Sequence, residues 1–474
     1  MSMNTNGVES AKMLVEMLKS ADNASSGKND PMALLAMRSL FDNQSFVRLS
    51  AFMTRSQDDC EAEGVVCAYG SVHGKPVFAF SEDIELNGGA ISKRHVEKIK
   101  SLYKRAKQNG APVVAFFNSK GGALDEGSAM LSAYGELIDC ICSSKGLIPQ
   151  LAVVNGKCTG LLASAAELFD FTVGVKGCEM YFLPPFIVGE KYSSEEYLEK
   201  NGLVSFMADD TRSASEYVRE LLGKLPLNVN DSRFLGDTED DINRTVSTAF
   251  DEKYDIKALI SDIADDKSFT ELYPSYAGSM RVGFAAFDGI LCGVVANDHS
   301  VNDGAITADG CKKAAGFIEF CSRFAIPVLT LVDTKGFEVS ADNEEAGVMS
   351  ASAKLALAYS RSPSAKITVI IGKAYGAGFT LMGSRSLGAD EVLALKDALV
   401  SAMPPESAVA FMNNRDITAD KDRKAVEDEW IAKNCPAVLA AANGDIDDII
   451  DSTFLRAHIC TAVGMFSSKS NMIS

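Results

Sequence analysis

The feature that most constrains this chain is a repeat at nearly constant offset. The phrases "SVHGKPVFAF", "LNGGAIS" and "NGAPVVAFFNSKGG" return, in order, as "AAFDGILCGVV", "VNDGAIT" and "FAIPVLTLVDTKGF". Gly74 pairs with Gly289, Asn87 with Asn302, Pro112 with Pro327 and Lys120 with Lys335, all at one identical offset, while Lys157 pairs with Lys373 a single position further on. Turn residues recur in any α/β chain, but composition does not set their spacing, so these anchors mean a tandem duplication. Length agrees: 474 residues exceed the roughly 250–300 at which a single core stops growing.

Within each half the pattern alternates. "KPVFAFSED" and "GILCGVVAND" read as strands, whereas "SKRHVEKIKSLYKRAKQNG" and "ADGCKKAAGFIEFCSRF" carry apolar residues at helical spacing. "APVVAFFNS" and "IPVLTLVDT" follow as buried strands, then a Gly turn, a helix and a further strand at "PQLAVVNG" or "KITVIIG". Strand alternating with helix predicts a layered α/β fold. Residues 1–35 read as a helical N-terminal extension, 36–208 and 274–474 as the two domains, and 209–273, with its turn formers and the acidic run "GDTEDDIN", as a connector.

Charge narrows the function. Sixty-four acidic against 46 basic residues leave a net charge of −18, which repels nucleic acid and anionic membrane surfaces. The eleven cysteines are an odd number scattered through apolar runs, and Cys140 and Cys142 are too close for a C-x-x-C redox or zinc site. They read as buried free thiols in a reducing compartment, and no metal site is expected. No basic stretch precedes an apolar leader and no apolar run reaches a membrane span, so a cytoplasmic location is expected.

Two glycine-rich elbows follow buried strands in each half: "SKGGALDEG" and "GKCTGLLA", then "TKGFEVSADNEEAG" and "GKAYGAGF". Small residues leave backbone N–H groups uncovered, and a helix starting there adds its unpaired first amides and its dipole. Two such amides hold a developing oxyanion. One elbow alone is explained by close packing of strand and helix; the symmetric two-by-two pattern is what points to chemistry. Conventional catalytic sets are absent. His73, His95, His299 and His458 lie in no metal spacing and beside no Ser or Cys nucleophile. His95, among Lys93, Arg94 and Lys98, is expected on an exposed helix face, and Asp125 and Glu126 serve equally well as first-turn helix acids or as general bases. No phosphate-binding loop is visible.

With "FSEDIELNGGAIS", "GLIPQLAVVNGKCTG" and "KITVIIGKAYGAGFTLMGSRSLGAD", these phrases resemble the carboxyltransferase component of biotin-dependent acyl-CoA carboxylases and related decarboxylases, from about Leu35 onward. The resemblance implies a tandem pair of crotonase-like (ClpP/crotonase) ββα spiral domains. It also implies a mechanism. An acyl-CoA thioester binds the first half, where one amide pair holds the enolate oxygen; carboxybiotin enters against the second half, where another pair holds the ureido oxygen. Biotin nitrogen takes the α-proton, so no protein acid or base is required. Carried over by position, the first pair would be Gly121 or Gly122 with Gly160 or Leu161. The second would be Gly336 or Phe337 with Ala377 and Gly378, and Thr380 would line the acyl pocket. Lys120 and Lys157 would attract CoA phosphates or a substrate carboxylate, although lysines snorkelling at helix starts explain them as well.

The resemblance further implies a separate biotin carboxyl carrier protein and either a biotin carboxylase or a sodium-pumping membrane decarboxylase partner. It implies a homo-oligomer, a dimer or a hexamer, with sites between the first half of one subunit and the second half of another. The substrate would be an acetyl-, propionyl- or methylmalonyl-CoA type thioester. Departures from the family pattern gather in the first half: Lys120 for Ser, Leu124 for Arg, Lys157 for Pro and Leu161 for Gly; in the second, Lys335 replaces Pro. They leave a scaffold subunit without first-half chemistry as an alternative. A hydratase or isomerase of the crotonase type needs no duplicated half.

Overall fold

A computed structural model of the chain describes residues 31–54, 63–247, 254–418 and 421–469. Most of the expected N-terminal extension lies outside the described residues; within it, Met32–Leu40 begins a helix. The chain divides into two compact units, 1–231 and 232–474. Of the expected connector, helix Thr211–Lys224 falls in the first unit, and helix Ile256–Ile263 in the second.

The first unit is built on β1 (Val47–Leu49), β2 (Val65–Val72), β3 (Lys75–Glu82), β4 (Val113–Ser119), β5 (Gln150–Thr159), β6 (Phe171–Val175), β7 (Glu179–Tyr181) and β8 (Phe206–Ala208). The sheet order is β1-β2-β3-β4-β5-β6-β8, with β7 paired to the far end of β5. β1 to β3 run antiparallel, and from β3 onward the pairs are parallel.

The second unit repeats this plan with β9 (Thr270–Leu272), β10 (Met280–Phe287), β11 (Ile290–Asn297), β12 (Val328–Thr334), β13 (Lys366–Tyr375), β14 (Glu391–Leu395), β15 (Leu399–Ser401) and β16 (Asp448–Ile450). Its order is β9-β10-β11-β12-β13-β14-β16, with β15 paired to β13. Strands β2 and β10, β3 and β11, and β4 and β12 begin at the same offset as the sequence anchors, and β5 and β13 begin one position further apart. The drift read in the sequence is therefore a one-residue difference in the helical segment before β5 and β13.

Local chemistry explains the elements. His73-Gly74 and Asp288-Gly289 each put two consecutive residues at positive φ, the tight turn whose twist suits a hairpin. Residues Val113 to Phe117 are fully buried, as a parallel strand covered on both faces requires. Helix Lys93–Asn109 starts at Ser92, whose side chain accepts from His95 N, and ends at Gly110 in the left-handed region. Its counterpart Ala308–Arg323 starts at Thr307, the position that repeats Ser92, with the same cap to Gly310 N. In the second unit the fully buried Arg456 anchors helix Leu455–Phe466, pairing with Asp265 at 2.7 Å and donating to Ile263 O. No helix among the described residues is long and apolar enough to cross a membrane. The described cysteines are free, and most are buried, although Cys142 is exposed.

One expectation fails. His95 is not on an exposed face; it is fully buried. It shares a helix stripe with Ile99, Leu102 and Ala106, spaced as a core-facing side requires, and the neighbouring charges conceal that periodicity in the sequence. Its ring nitrogens lie 3.9 Å from Glu63 Oε1 and 3.9 Å from Glu82 Oε1. Lys98, also buried, donates to Val65 O at 2.6 Å. Burial pushes the His95 imidazole down to about 3 and pushes the Glu82 carboxyl well above the usual carboxylate range.

This makes acid stability testable. The folded imidazole is neutral, whereas in the unfolded chain it titrates near 6.5, so the stability it contributes is complete above that pH and is lost as pH falls toward 3. Glu82, with a raised folded pKa, acts in the opposite sense, so the comparison is between parent and variant. Between pH 6.5 and about 5 the parent should lose about 2 kcal/mol more than His95→Gln, measured by urea denaturation. Equal slopes would exclude a neutral buried imidazole.

Candidate functional site

The four elbows sit at the C-terminal ends of neighbouring parallel strands, β4 beside β5 and β12 beside β13. Their backbones need glycine: φ is 118° at Gly121, 62° at Gly160, 106° at Gly336 and 57° at Gly376. At both strand pairs the register shifts just before the elbow, between Phe117 and Ser119 and between Val332 and Thr334.

A polar tie sits at that shift. In the first unit Asn118 Oδ1 accepts from Lys157 N at 3.1 Å; in the second, Asp333 Oδ1 accepts from Lys373 N at 2.8 Å. A Cβ at Gly156 would overlap the Asn118 carboxamide, and one at Gly372 would overlap the Asp333 carboxylate. The glycine in "NGKCTG" and "IIGKAYG" is thereby explained: it admits the tie, and the residue after it contributes only its main-chain N–H, which any residue but proline would supply. Acid and amide are exchanged between halves. Glu82 Oε2 accepts from Asn118 N at 2.9 Å, while at the matching positions Asn297 lies beside the loop that meets Asp333. Asp333 also receives the Tyr254 hydroxyl at 2.8 Å, and Tyr254 stacks on His299 at 4.2 Å.

Among the proposed donors, several N–H groups are already engaged. Gly121 N donates to Ser119 Oγ at 3.1 Å, Gly160 N to Tyr181 O at 2.9 Å, and Gly336 N to Thr334 Oγ1 at 3.0 Å. Within the alternatives left by the sequence, Gly122, Leu161 and Phe337 carry N–H groups that no described residue receives, as do Ala377 and Gly378. Leu161 and Ala377 are the first residues of helices Leu161–Glu167 and Ala377–Leu381. Their amides point out of the first turn, where intrahelical partners do not exist. Phe337 and Ala377 line one cleft of about 700 Å³ with Val339, Val348, Met349 and Leu381. Helix Leu161–Glu167 contributes Ala163, Ser164 and Glu167 to a largely apolar cavity of about 600 Å³ that also takes in Tyr181 and Tyr197. Neither Gly122 nor Leu161 lines it.

The remaining predicted residues are less convergent. Lys157 Nζ is paired with Glu179 at 2.8 Å, so its ammonium is not an open anion contact. Lys120 is exposed and lies over Gly88. Thr380 is exposed on helix Ala377–Leu381 and does not line the cleft beside it. Glu126 accepts from Lys93 N at 2.8 Å, which makes it a cap for the neighbouring helix rather than a poised base. Among the described residues no group of three or more His, Cys, Asp or Glu is arranged to hold a metal ion. Sequence reasoning missed Ser119, Thr334 and the Tyr254–Asp333 bond. Ser119 and Thr334 are also repeat partners at the constant offset, the one signal that marks them.

Comparison with known proteins gives a consistent result. The carboxyl transferase domain family matches residues 24–473. The methylmalonyl-CoA decarboxylase subunit alpha of Veillonella parvula is 31% identical over 455 residues, covering 91% of this chain and 89% of the relative. The methylmalonyl-CoA carboxyltransferase 12S subunit of Propionibacterium freudenreichii subsp. shermanii is 31% identical over 461 residues, covering 91% and 88%. A solved structure of transcarboxylase 12S, a hexamer with methylmalonyl-coenzyme A and methylmalonic acid bound, matches with a TM-score of 0.89 at 28% identity over 99% of this chain and 97% of that one.

The close approach at the second-unit elbows carries its own test. A Cβ at Gly378 would lie 2.8 Å from Thr334 Cγ2 and 3.3 Å from Gly336 Cα. Gly378→Ala should therefore destabilise the chain by about 1–3 kcal/mol. Adding Thr334→Ser, which removes that methyl, should recover part of the loss in a denaturation double-mutant cycle. Strict additivity would show that the two side chains do not meet.

Proposed function

The chain belongs to the carboxyl transferase family, and from that premise we propose that it moves a carboxyl group between biotin on a separate carrier protein and a short-chain acyl-CoA of the propionyl or methylmalonyl type. The observation that carries this reading is the pair of unengaged elbow amides in each unit, Gly122 with Leu161 and Phe337 with Ala377. Amides held ready at an anion's position lower its energy without reorganisation during the reaction. In the first unit they would receive the thioester oxygen as the α-carbon acquires enolate character. In the second, the cleft lined by Phe337 and Ala377, with apolar walls at Val348, Met349 and Leu381 and polar ones at Glu338, Ser340, Glu344 and Ser352, would receive the ureido ring and its oxygen. Biotin, when bound there, supplies the carboxyl carrier and a nitrogen able to take the α-proton. The chain's own residues then bind, orient and neutralise charge, which accords with the lack of a His-centred set.

Unengaged amides in the first unit weigh against a scaffold that has lost half its chemistry. Leu161 replaces a smaller residue there, but its N–H, not its side chain, is the group required. Leu124 and Val339 are repeat partners, each beside an elbow, and are 84% and 100% exposed. Apolar side chains so placed favour burial against another subunit, in line with a homo-oligomer whose sites are completed by a second copy. Lys157, held by Glu179, is set aside as a CoA contact. Whether the reaction runs toward carboxylation or decarboxylation follows from the partner chain, a biotin carboxylase or a membrane decarboxylase subunit.

The test is carboxyl transfer from methylmalonyl-CoA and malonyl-CoA to free biotin. Ala377→Pro and Leu161→Pro each place proline on the first residue of a helix, where its ring is accommodated and the lost N–H is the proposed donor. Each should lower kcat by about 10²–10³. Parental turnover in a folded Ala377→Pro chain would overturn the reading. A parental chain without turnover on either thioester would favour the scaffold.

A further inference from the structure

The peptide group is planar and trans, so a free N–H is aimed by whatever holds the carbonyl on the other side of the same bond. The N–H of Gly122 shares its peptide with the carbonyl of Gly121, which accepts twice: from Ser119 Oγ at 3.2 Å and from Ile91 N at 2.9 Å. In the second unit the N–H of Phe337 shares its peptide with the carbonyl of Gly336. That carbonyl accepts from Thr334 Oγ1 at 3.2 Å and from Ile306 N at 2.9 Å. Each hydroxyl also receives an N–H from the same glycine, at 3.1 Å for Gly121 and 3.0 Å for Gly336. Ser119 and Thr334 are fully buried, so neither has water as an alternative partner.

We propose that Ser119 and Thr334 are positioning residues: their buried hydroxyls lock the Gly121–Gly122 and Gly336–Phe337 peptides so that the Gly122 and Phe337 N–H groups face the reacting oxygen. The kinetic consequence rests on the carboxyl-transfer reading; the peptide orientation does not. Without the hydroxyl, one of two bonds to the carbonyl is lost at a glycine whose positive φ leaves it free to turn. The second elbows need no such side chain. Gly160 O accepts from Ala163 N at 3.1 Å and Gly376 O from Phe379 N at 3.2 Å, so the helix itself aims the Leu161 and Ala377 amides. Each amide pair thus has one member fixed by a helix start and one fixed by a hydroxyl.

The isosteric change Thr334→Val keeps the methyl against Gly378 and removes only the hydroxyl. It should lower kcat for transfer from methylmalonyl-CoA to free biotin roughly ten- to a hundredfold, the scale of a misaimed group, with both KM values within about twofold. Thr334→Ser should keep kcat within about threefold of the parent, and Ser119→Ala should fall as Thr334→Val does. A merely structural role would lower the melting temperature and the folded fraction without changing kcat per folded site, and would not separate Val from Ser. Parental kcat in Thr334→Val, or an equal fall in Thr334→Ser, overturns the proposal. If the parent transfers no carboxyl group, the carboxyl-transfer reading fails separately and crystal structures decide. A Gly336–Phe337 peptide that turns in Thr334→Val supports the lock; one that keeps its orientation overturns it.

Discussion

The structure depends on one constraint, that a main-chain N–H is available for chemistry only when its own peptide is held from the carbonyl side. Backbone donors are rarely left unpaired in a folded chain, because an unmet N–H forfeits the hydrogen bond it had in water. Here the elbows are arranged so that the carbonyls of Gly121, Gly160, Gly336 and Gly376 are held and the following N–H groups are not. Positive φ at these glycines makes the arrangement possible, since side chains would resist that backbone conformation.

The elbows in turn depend on ties lower in the sheet. Asn118 and Asp333 span the register shifts of their strand pairs and reach the Lys157 and Lys373 amides only because Gly156 and Gly372 lack side chains. The two units solve the same problem with acid and amide exchanged: an amide over a buried acid in one, an acid beside a carboxamide position in the other. Buried polar groups of this kind are costly unless satisfied, and the Tyr254 hydroxyl on Asp333 and the Asn118 amide on Glu82 provide partners. His95 belongs to the same system, 3.9 Å from the Glu82 carboxyl that accepts from Asn118 N, on a helix whose outer face is charged.

Duplication without identity fits a molecule whose halves handle different ligands. The second unit keeps small residues, Ala377 and Gly378, at its helix start, while the first carries Leu161 and Leu162. The hydroxyl lock follows suit: Thr334 presses its methyl toward Gly378, whereas the first unit uses the smaller Ser119. Backbone chemistry tolerates such exchange, because the working atoms are main-chain N–H groups common to every residue but proline.

Much of this was legible in the linear chain. The constant offset between repeated phrases established the duplication, the alternation of strand and helix established the α/β class, and the four glycine elbows singled out the candidate site, because each is a local property of spacing and backbone freedom. Which amide of each pair stays unengaged was not legible. Tyr181 and Ser401 take the Gly160 and Gly376 N–H groups, and Ile91 and Ile306 hold the Gly121 and Gly336 carbonyls, from distant parts of the sequence that only packing brings into range. Ser119 and Thr334, two residues away, take the other two N–H groups through side-chain orientations that spacing does not reveal. His95 was misread for the same reason: its neighbours in sequence are charged, but its neighbours in space are the core and two carboxyl groups. Spacing along one chain dictates what each segment can form, whereas hydrogen-bond occupancy depends on partners that only the tertiary structure supplies.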